Sequence, residues 1–203
     1  YGIVAGMNYL HKNNIIHRDL KPENIFLNKN YYPIISDFGL SKFSENDLFM
    51  TTKLGTPYFM APELFNEESD SENKVTNKID VYAFSVTLLS FFTTSYKFNG
   101  TQPRTISQLI NKVTEGVRYT IPKDTPKYYS HLIKRCWDGD QDKRPSFDKI
   151  LNEFDHNDDF IFKGSNKKQV HDYMKMLSKA KIEIKANDSS DSASYEDKSE
   201  EDT

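Results

Sequence analysis

H-R-D-L-K-P-E-N, His17 to Asn24, sets a carboxylate (Asp19), a cation (Lys21) and a carboxamide (Asn24) within one short loop. Those groups suit phosphoryl transfer from a metal–nucleotide complex. Such transfer needs a base beside the acceptor hydroxyl, a positive charge beside the moving phosphoryl and an oxygen ligand for Mg²⁺. D-F-G follows at Asp37 to Gly39 and offers a second metal carboxylate; A-P-E follows at Ala61 to Glu63.

The three strings, in this order and at this spacing, resemble the eukaryotic protein kinases. The resemblance covers residues 1–154 and implies a mainly α fold, the kinase large lobe, with a short β-hairpin at the catalytic loop. It implies that Asp19 accepts or orients the proton of the acceptor hydroxyl and that Lys21 neutralises charge on the transferring group. Asn24 and Asp37 are implied to hold the metal ions that bridge the nucleotide phosphates, with ATP and Mg²⁺ as cofactors and Phe26 beneath the adenine ring. His17 and Phe38 are implied to stack in an apolar column, Asp80 to accept hydrogen bonds from the catalytic-loop backbone, and Arg144 to pair with Glu63 of A-P-E.

Regulation is implied as well. In kinases with Arg before the catalytic Asp, that Arg pairs with a phosphate on the activation segment, a charge-assisted contact that orders the loop. Here Arg18 takes that place, with Thr52 as the candidate acceptor, Thr51 next and Ser44 a distant third. Thr56 in G-T-P resembles the threonine that hydrogen-bonds the catalytic Asp and Lys in serine/threonine kinases. Lys21 argues the same way, because tyrosine kinases usually read A-A-R-N or R-A-A-N where this chain has K-P-E-N. The ending C-W-D-G-D-Q-D-K-R-P-S-F, Cys136 to Phe147, and V-T-E-G-V-R-Y-T-I-P, Val113 to Pro122, resemble the tyrosine-kinase-like group. The expected activity is therefore ATP-dependent phosphorylation of Ser/Thr on protein substrates. A kinase-derived scaffold without catalysis and a small-molecule phosphotransferase are the alternatives. The four competent loop residues argue against the first, and the long Asp37–Glu63 segment with its own threonines argues against the second.

The small-lobe signatures are missing from the string: no G-x-G-x-x-G and no V-A-I-K-like stretch occurs. Y-G-I-V-A-G-M-N-Y-L-H, from Tyr1, reads as the later turns of an amphipathic helix, with Ile3, Val4, Met7 and Leu10 near helical spacing. The chain is expected to be a fragment without the nucleotide-binding small lobe, and inactive alone.

Composition is that of a soluble globular protein: 36% hydrophobic and 28% charged. One cysteine, Cys136, excludes an internal disulfide and fits a reducing, cytoplasmic setting, although export is also compatible with it. The five histidines show no zinc-type spacing with it. Residues 1–162 are nearly neutral, which gives no nucleic-acid footprint. Residues 163–186 carry seven basic and two acidic side chains, and residues 187–203 carry one and seven. The last segment is too polar to order itself and is expected to be an acidic disordered tail. Residues 155–186 form a basic extension in which Val170, Tyr173, Met174 and Leu177 fall at i, i+3, i+4 and i+7, as in an amphipathic helix.

Ile79 to Phe92 is apolar on most faces, too short to span a bilayer and interrupted by Asp80, so it belongs in a core. It resembles the family's D-V-Y-x-F-G-V helix, with Ser85 where Gly is usual. The expected elements are a helix ending near Lys12, hairpin strands near Ile25–Leu27 and Ile34–Ser36, and the buried helix at about Lys78–Thr93. Helices near Ile106–Thr114, Tyr128–Cys136 and Phe147–Asn152 complete the lobe, with Trp137 as core filler. Asn66–Lys74 and Tyr96–Gln102 read as surface loops. No transmembrane segment is expected, and the sequence sets no oligomeric state.

Overall fold

A computed structural model describes residues 1–37, 57–65 and 76–179. Among these the fold is mostly helical, with one two-stranded antiparallel sheet. Phe38, Thr51, Thr52, Thr56, the Asn66–Lys74 stretch and the acidic tail lie outside the described residues.

The first helix, α1 (Gly2–Lys12), buries Val4, Ala5, Met7, Asn8 and Leu10. It packs on the later helix Phe147–His156 and on the hairpin of residues 25–35. Two small residues on its face, Gly2 and Gly6, make that hairpin contact possible. A Cβ at Gly6 would stand 2.8 Å from Ile35 Cδ1, and one at Gly2 would stand 2.6 Å from Pro33 Cγ. A short 3₁₀ turn at Pro22–Asn24 leads into β1 (Ile25–Leu27), which pairs with β2 (Pro33–Ile35) in the register Ile25↔Ile35, Phe26↔Ile34, Leu27↔Pro33. Asn28 shapes the connecting turn: its Oδ1 accepts the N–H groups of Asn30 and Tyr32, both at 2.9 Å. The second strand begins one residue earlier than expected, because Pro33, which lacks an N–H, is tolerated where a strand starts.

The centre of the core is α2 (Lys78–Ser90), in which every residue from Ile79 to Leu89 is buried. Burying side chains such as Phe84, Leu88 and Leu89 contributes roughly 1.5–3 kcal/mol each. Ser85, in the place usual for Gly, is fully buried and its hydroxyl donates to the Tyr82 carbonyl at 2.6 Å. The helix stops at Ser90, short of Thr93.

Three amphipathic helices complete the fold. Thr105 caps α3 (Ile106–Thr114), its Oγ1 accepting the Gln108 N–H at 3.2 Å. Next, α4 (Lys127–Cys136) turns Tyr129, Leu132, Ile133 and Cys136 inward against α2. Ser146 caps α5 (Phe147–His156), which buries Phe147, Ile150, Leu151 and Phe154. This helix runs four residues past the expected Asn152, because Phe154 extends the same apolar stripe by another turn. Trp137 is buried after α4.

Tyr96–Gln102 is not a plain surface loop. Phe98 is buried, is bridged to Thr101 and lies with its ring centroid 4.6 Å from that of Tyr119. The Asn99–Gly100 turn, at φ 49° and 81°, reverses the chain so that Phe98 points into the core. Residues 167–179 are helical. No described helix is long and apolar enough to cross a membrane.

Candidate active site

The loop after α1 is held from below by one buried carboxylate. Asp80 of α2 accepts the His17 N–H through Oδ2 and the Arg18 N–H through Oδ1, each at 2.8 Å. His11 Nε2 also lies 2.8 Å from Asp80 Oδ2. A buried carboxylate needs such donors, since burying it unpaired would be costly. His17 is fully buried. Its Nε2 stands 3.0 Å from the Ser36 carbonyl and its Nδ1 accepts the Asp19 N–H at 3.3 Å. A carbonyl can only accept, so this network fits the Nε2–H tautomer. The imidazole thereby ties the loop to the strand that leads to Asp37.

Above this support the polar side chains cluster. Lys21 Nζ donates to Asp19 Oδ2 at 2.7 Å. Asn24 Nδ2 donates to the Asp19 carbonyl at 2.8 Å and to Asp19 Oδ2 at 3.0 Å. The side chains of Asp19 and Lys21 are each 15% exposed, so the pair is shielded without being closed off. Leu20, fully buried, plugs the loop into the core between them. The Asn24 carbonyl accepts both the Ser36 N–H at 3.0 Å and the Ser36 hydroxyl at 3.2 Å. Asp37 therefore follows directly on a residue bonded to Asn24. It is exposed and stands at φ 65°. Arg18 stands at φ 69°. Non-glycine residues rarely occupy this left-handed region, and they cluster at functional sites.

The chemistry available follows from these positions. Asp19 Oδ2 is occupied by two donors, and no donor to Oδ1 is recorded among the described residues. Asn24 spends its side-chain nitrogen on Asp19, so the oxygen is the donor atom its carboxamide has left for a cation. A carboxamide oxygen and a carboxylate are the hard oxygen donors that Mg²⁺ takes, usually one or two from protein with the rest from phosphate and water. A dedicated all-protein cage is not expected for such an ion, and the described residues hold no cluster of three His, Cys, Asp or Glu. The donor set fits Mg²⁺ bound through phosphates.

The family described as protein kinase domain matches residues 1–154. The chain belongs to the protein kinase family.

Among its relatives, a probable serine/threonine-protein kinase of Dictyostelium discoideum is 40% identical over 74% of this chain. The RGS domain-containing serine/threonine-protein kinase A of the same organism is 41% identical over 74%. Serine/threonine-protein kinase STY46 of Arabidopsis thaliana is 33% identical over 74%. The chain spans 16%, 12% and 25% of these relatives' lengths, respectively. Members of this family in general use ATP and Mg²⁺.

In this kinase domain Arg144 is fully buried and forks onto Glu63, with Nη1 2.6 Å and Nη2 2.8 Å from the two carboxylate oxygens. It also donates to the carbonyls of Asp138 and Lys78 at 2.8 and 3.1 Å, and its guanidinium lies 5.2 Å from the Tyr82 ring centre. Lys78 Nζ returns a hydrogen bond to the Arg144 carbonyl. Phe26 is exposed on β1 beside Ile34, its exposed partner on β2, so the kinase hairpin carries an open apolar face.

Two participants carry no motif of their own. His11 reaches Asp80 from the last turn of α1; only its place on the inward side of that helix hints at it. Ser36 joins the two loop ends, and a lone serine before D-F-G gives no signal.

Proposed function

We propose that residues 1–154 form the large-lobe catalytic floor of a serine/threonine protein kinase of the tyrosine-kinase-like group, transferring the terminal phosphoryl group of ATP to protein hydroxyls. The observation that carries this reading is the cluster at Asp19. Lys21 at 2.7 Å and Asn24 at 3.0 Å hold one of its oxygens, with Asp37 one residue past the Asn24–Ser36 hydrogen bond. In this role Asp19 orients the acceptor hydroxyl and takes its proton, held in place by the Asn24 amide. Lys21, whose ammonium stands 2.7 Å from that carboxylate, would place its charge beside the transferring group. Asn24 and Asp37 would hold Mg²⁺, which when bound supplies charge neutralisation at the phosphates. Phe26 offers an apolar surface to the adenine. Lys21 and Thr56 support Ser/Thr as acceptors. Arg18 would receive a phosphate on the activation segment, at Thr52 in preference to Thr51.

The 203 residues contain no G-x-G-x-x-G and no V-A-I-K-like stretch. On this reading the isolated polypeptide has negligible turnover, and transfer requires a small lobe. The test is phosphotransfer by the product of the complete reading frame containing this chain, with phosphoamino-acid analysis of a mixed protein substrate. Phosphoserine and phosphothreonine should form, and Asp19→Asn should lower the rate by about 10²–10⁴-fold. Robust transfer by the isolated chain, or an unchanged rate in Asp19→Asn, would overturn the proposal.

A further inference from the structure

The helix over residues 167–179 lies beyond the family-matched 1–154, yet it packs against the hairpin that joins Asn24 to Asp37. It starts at Asn166, whose Oδ1 accepts the Gln169 N–H at 3.2 Å. Its apolar stripe faces the domain: Met174 is buried, and Val170 and Leu177 pack against the core. Tyr173 lies between them and stacks on Tyr32, with ring centroids 4.2 Å apart and planes 19° apart.

Tyr32 stands in the hairpin turn. Its N–H donates to Asn28 Oδ1 at 2.9 Å and its carbonyl accepts the Asn28 N–H at 3.0 Å. The other side of Tyr173 reaches α1. A Cβ at Gly2 would come within 2.1 Å of the Tyr173 hydroxyl and 2.6 Å of Pro33 Cγ. Three elements thus meet at one point where only a glycine fits: α1, the β2 end of the hairpin, and this helix.

The connecting segment is fastened as well. Phe160 stacks on Phe154 at 4.8 Å and Phe162 on Tyr129 at 4.9 Å. Asp158 takes Lys167 and His171, one turn apart on the helix, each at 3.0 Å. The ion pairs are exposed and count for little; the aromatic contacts determine the position.

We propose that helix 167–179 is a strap that positions the Asn24–Asp37 hairpin through the Tyr173–Tyr32 stack, so that a segment outside the family-matched region sets the geometry of the two metal-side residues. Its effect on metal binding rests on the phosphotransfer reading above; the mechanical coupling does not. Tyr173 is a positioning residue. It acts through Tyr32 and the turn: α1 packs on β2, while Tyr173 covers the turn end of a ribbon only three residues long on each side, which is marginal by itself.

Native-state hydrogen exchange on the full chain, without nucleotide, tests the coupling. In Tyr173→Ala, and separately in Val170→Asp, the amides of Asn28 and Ser36 should exchange about tenfold faster while the α2 amides keep their rates. Tyr173→Phe, which keeps the ring, should exchange like the parent. Hairpin rates unchanged in both disruptive variants would overturn the proposal. So would acceleration spread equally over α2, which would make Tyr173 a general stabiliser, or a Phe variant as fast as the Ala variant. Because no turnover is read, a negative result leaves the kinase assignment standing, and an inert full-length enzyme leaves the strap standing.

Discussion

Arg18 donates its backbone N–H to Asp80 Oδ1 at 2.8 Å while standing at φ 69°. The strained loop backbone and the rigid core helix are joined by that bond, and the neighbouring His17 N–H bonds to the other oxygen at the same distance. A conformation that costs about 1–3 kcal/mol persists only where its surroundings over-determine it. Here the surroundings are one carboxylate, fully buried, with His11 as its third partner.

Asp80→Asn keeps the shape but turns an N–H₂ toward one of three donors and removes the charge that strengthened the others. The expected cost is about 1.5–3 kcal/mol in urea unfolding. The His17 and Arg18 amides should exchange faster than those elsewhere in the loop. Unchanged stability together with protected loop amides would show that Asp80 is not the tether.

The Glu63–Arg144 pair predicts an asymmetry of repair. Glu63→Ala leaves a fully buried guanidinium without its carboxylate and should cost about 3–5 kcal/mol. Adding Arg144→Met removes the stranded charge and should restore part of that loss, because a buried pair replaced as a whole is tolerated better than one broken by half. A double variant as unstable as the sum of its parts would contradict this.

Alkaline stability follows from Cys136 and from tyrosines that burial raises, Tyr82 and Tyr129 among them. Burial pushes the Cys136 thiol from its ordinary value of 9.0 up to about 12. Burial likewise raises Tyr82 and Tyr129 from 10.0 to about 12. Each folded value lies above the unfolded one, so the contribution is fully present below pH 9.0 and is lost as pH rises through about 12. Unfolding midpoints measured across that window should fall steadily, with Cys136→Ala delaying the onset toward the tyrosine range. A thiol reagent at pH 8 should label Cys136 only on unfolding, since the thiol is buried and protonated. Rapid labelling of the folded chain would refute that placement.

Much of this architecture is legible in local sequence. The expected limits Ile106–Thr114 are those observed for α3, and the structure adds the reason for its start, the Thr105 hydroxyl capping from extended backbone. The proximity of Asp19, Lys21 and Asn24 is legible because five residues of loop cannot carry them far apart. Helix ends were harder to place: α5 outruns its expected end because Glu153, Asp155 and His156 look like a polar stop while Phe154 continues the buried stripe. Phe98 was hidden inside a polar run, where its one apolar side chain carries no period. Contacts between distant residues are legible only where the family resemblance supplies them, as for Glu63 with Arg144 and for Asp80 with the loop backbone; the others leave no trace. Nothing in the residues around Tyr32 or Tyr173 indicates that their rings stack, and nothing around His11 names Asp80 as its partner.

On the proposed function, Asn24 and Asp37 share one divalent ion beside Asp19 and Lys21. Titrating Mn²⁺ into the labelled chain and following paramagnetic broadening tests it without requiring turnover. The Asn24 side-chain amide and the Asp37 backbone amide should broaden first, and Asp37→Asn should abolish the effect at both. Broadening that begins at the exposed acids Asp140 or Asp158, or that persists unchanged at Asn24 in Asp37→Asn, would contradict it.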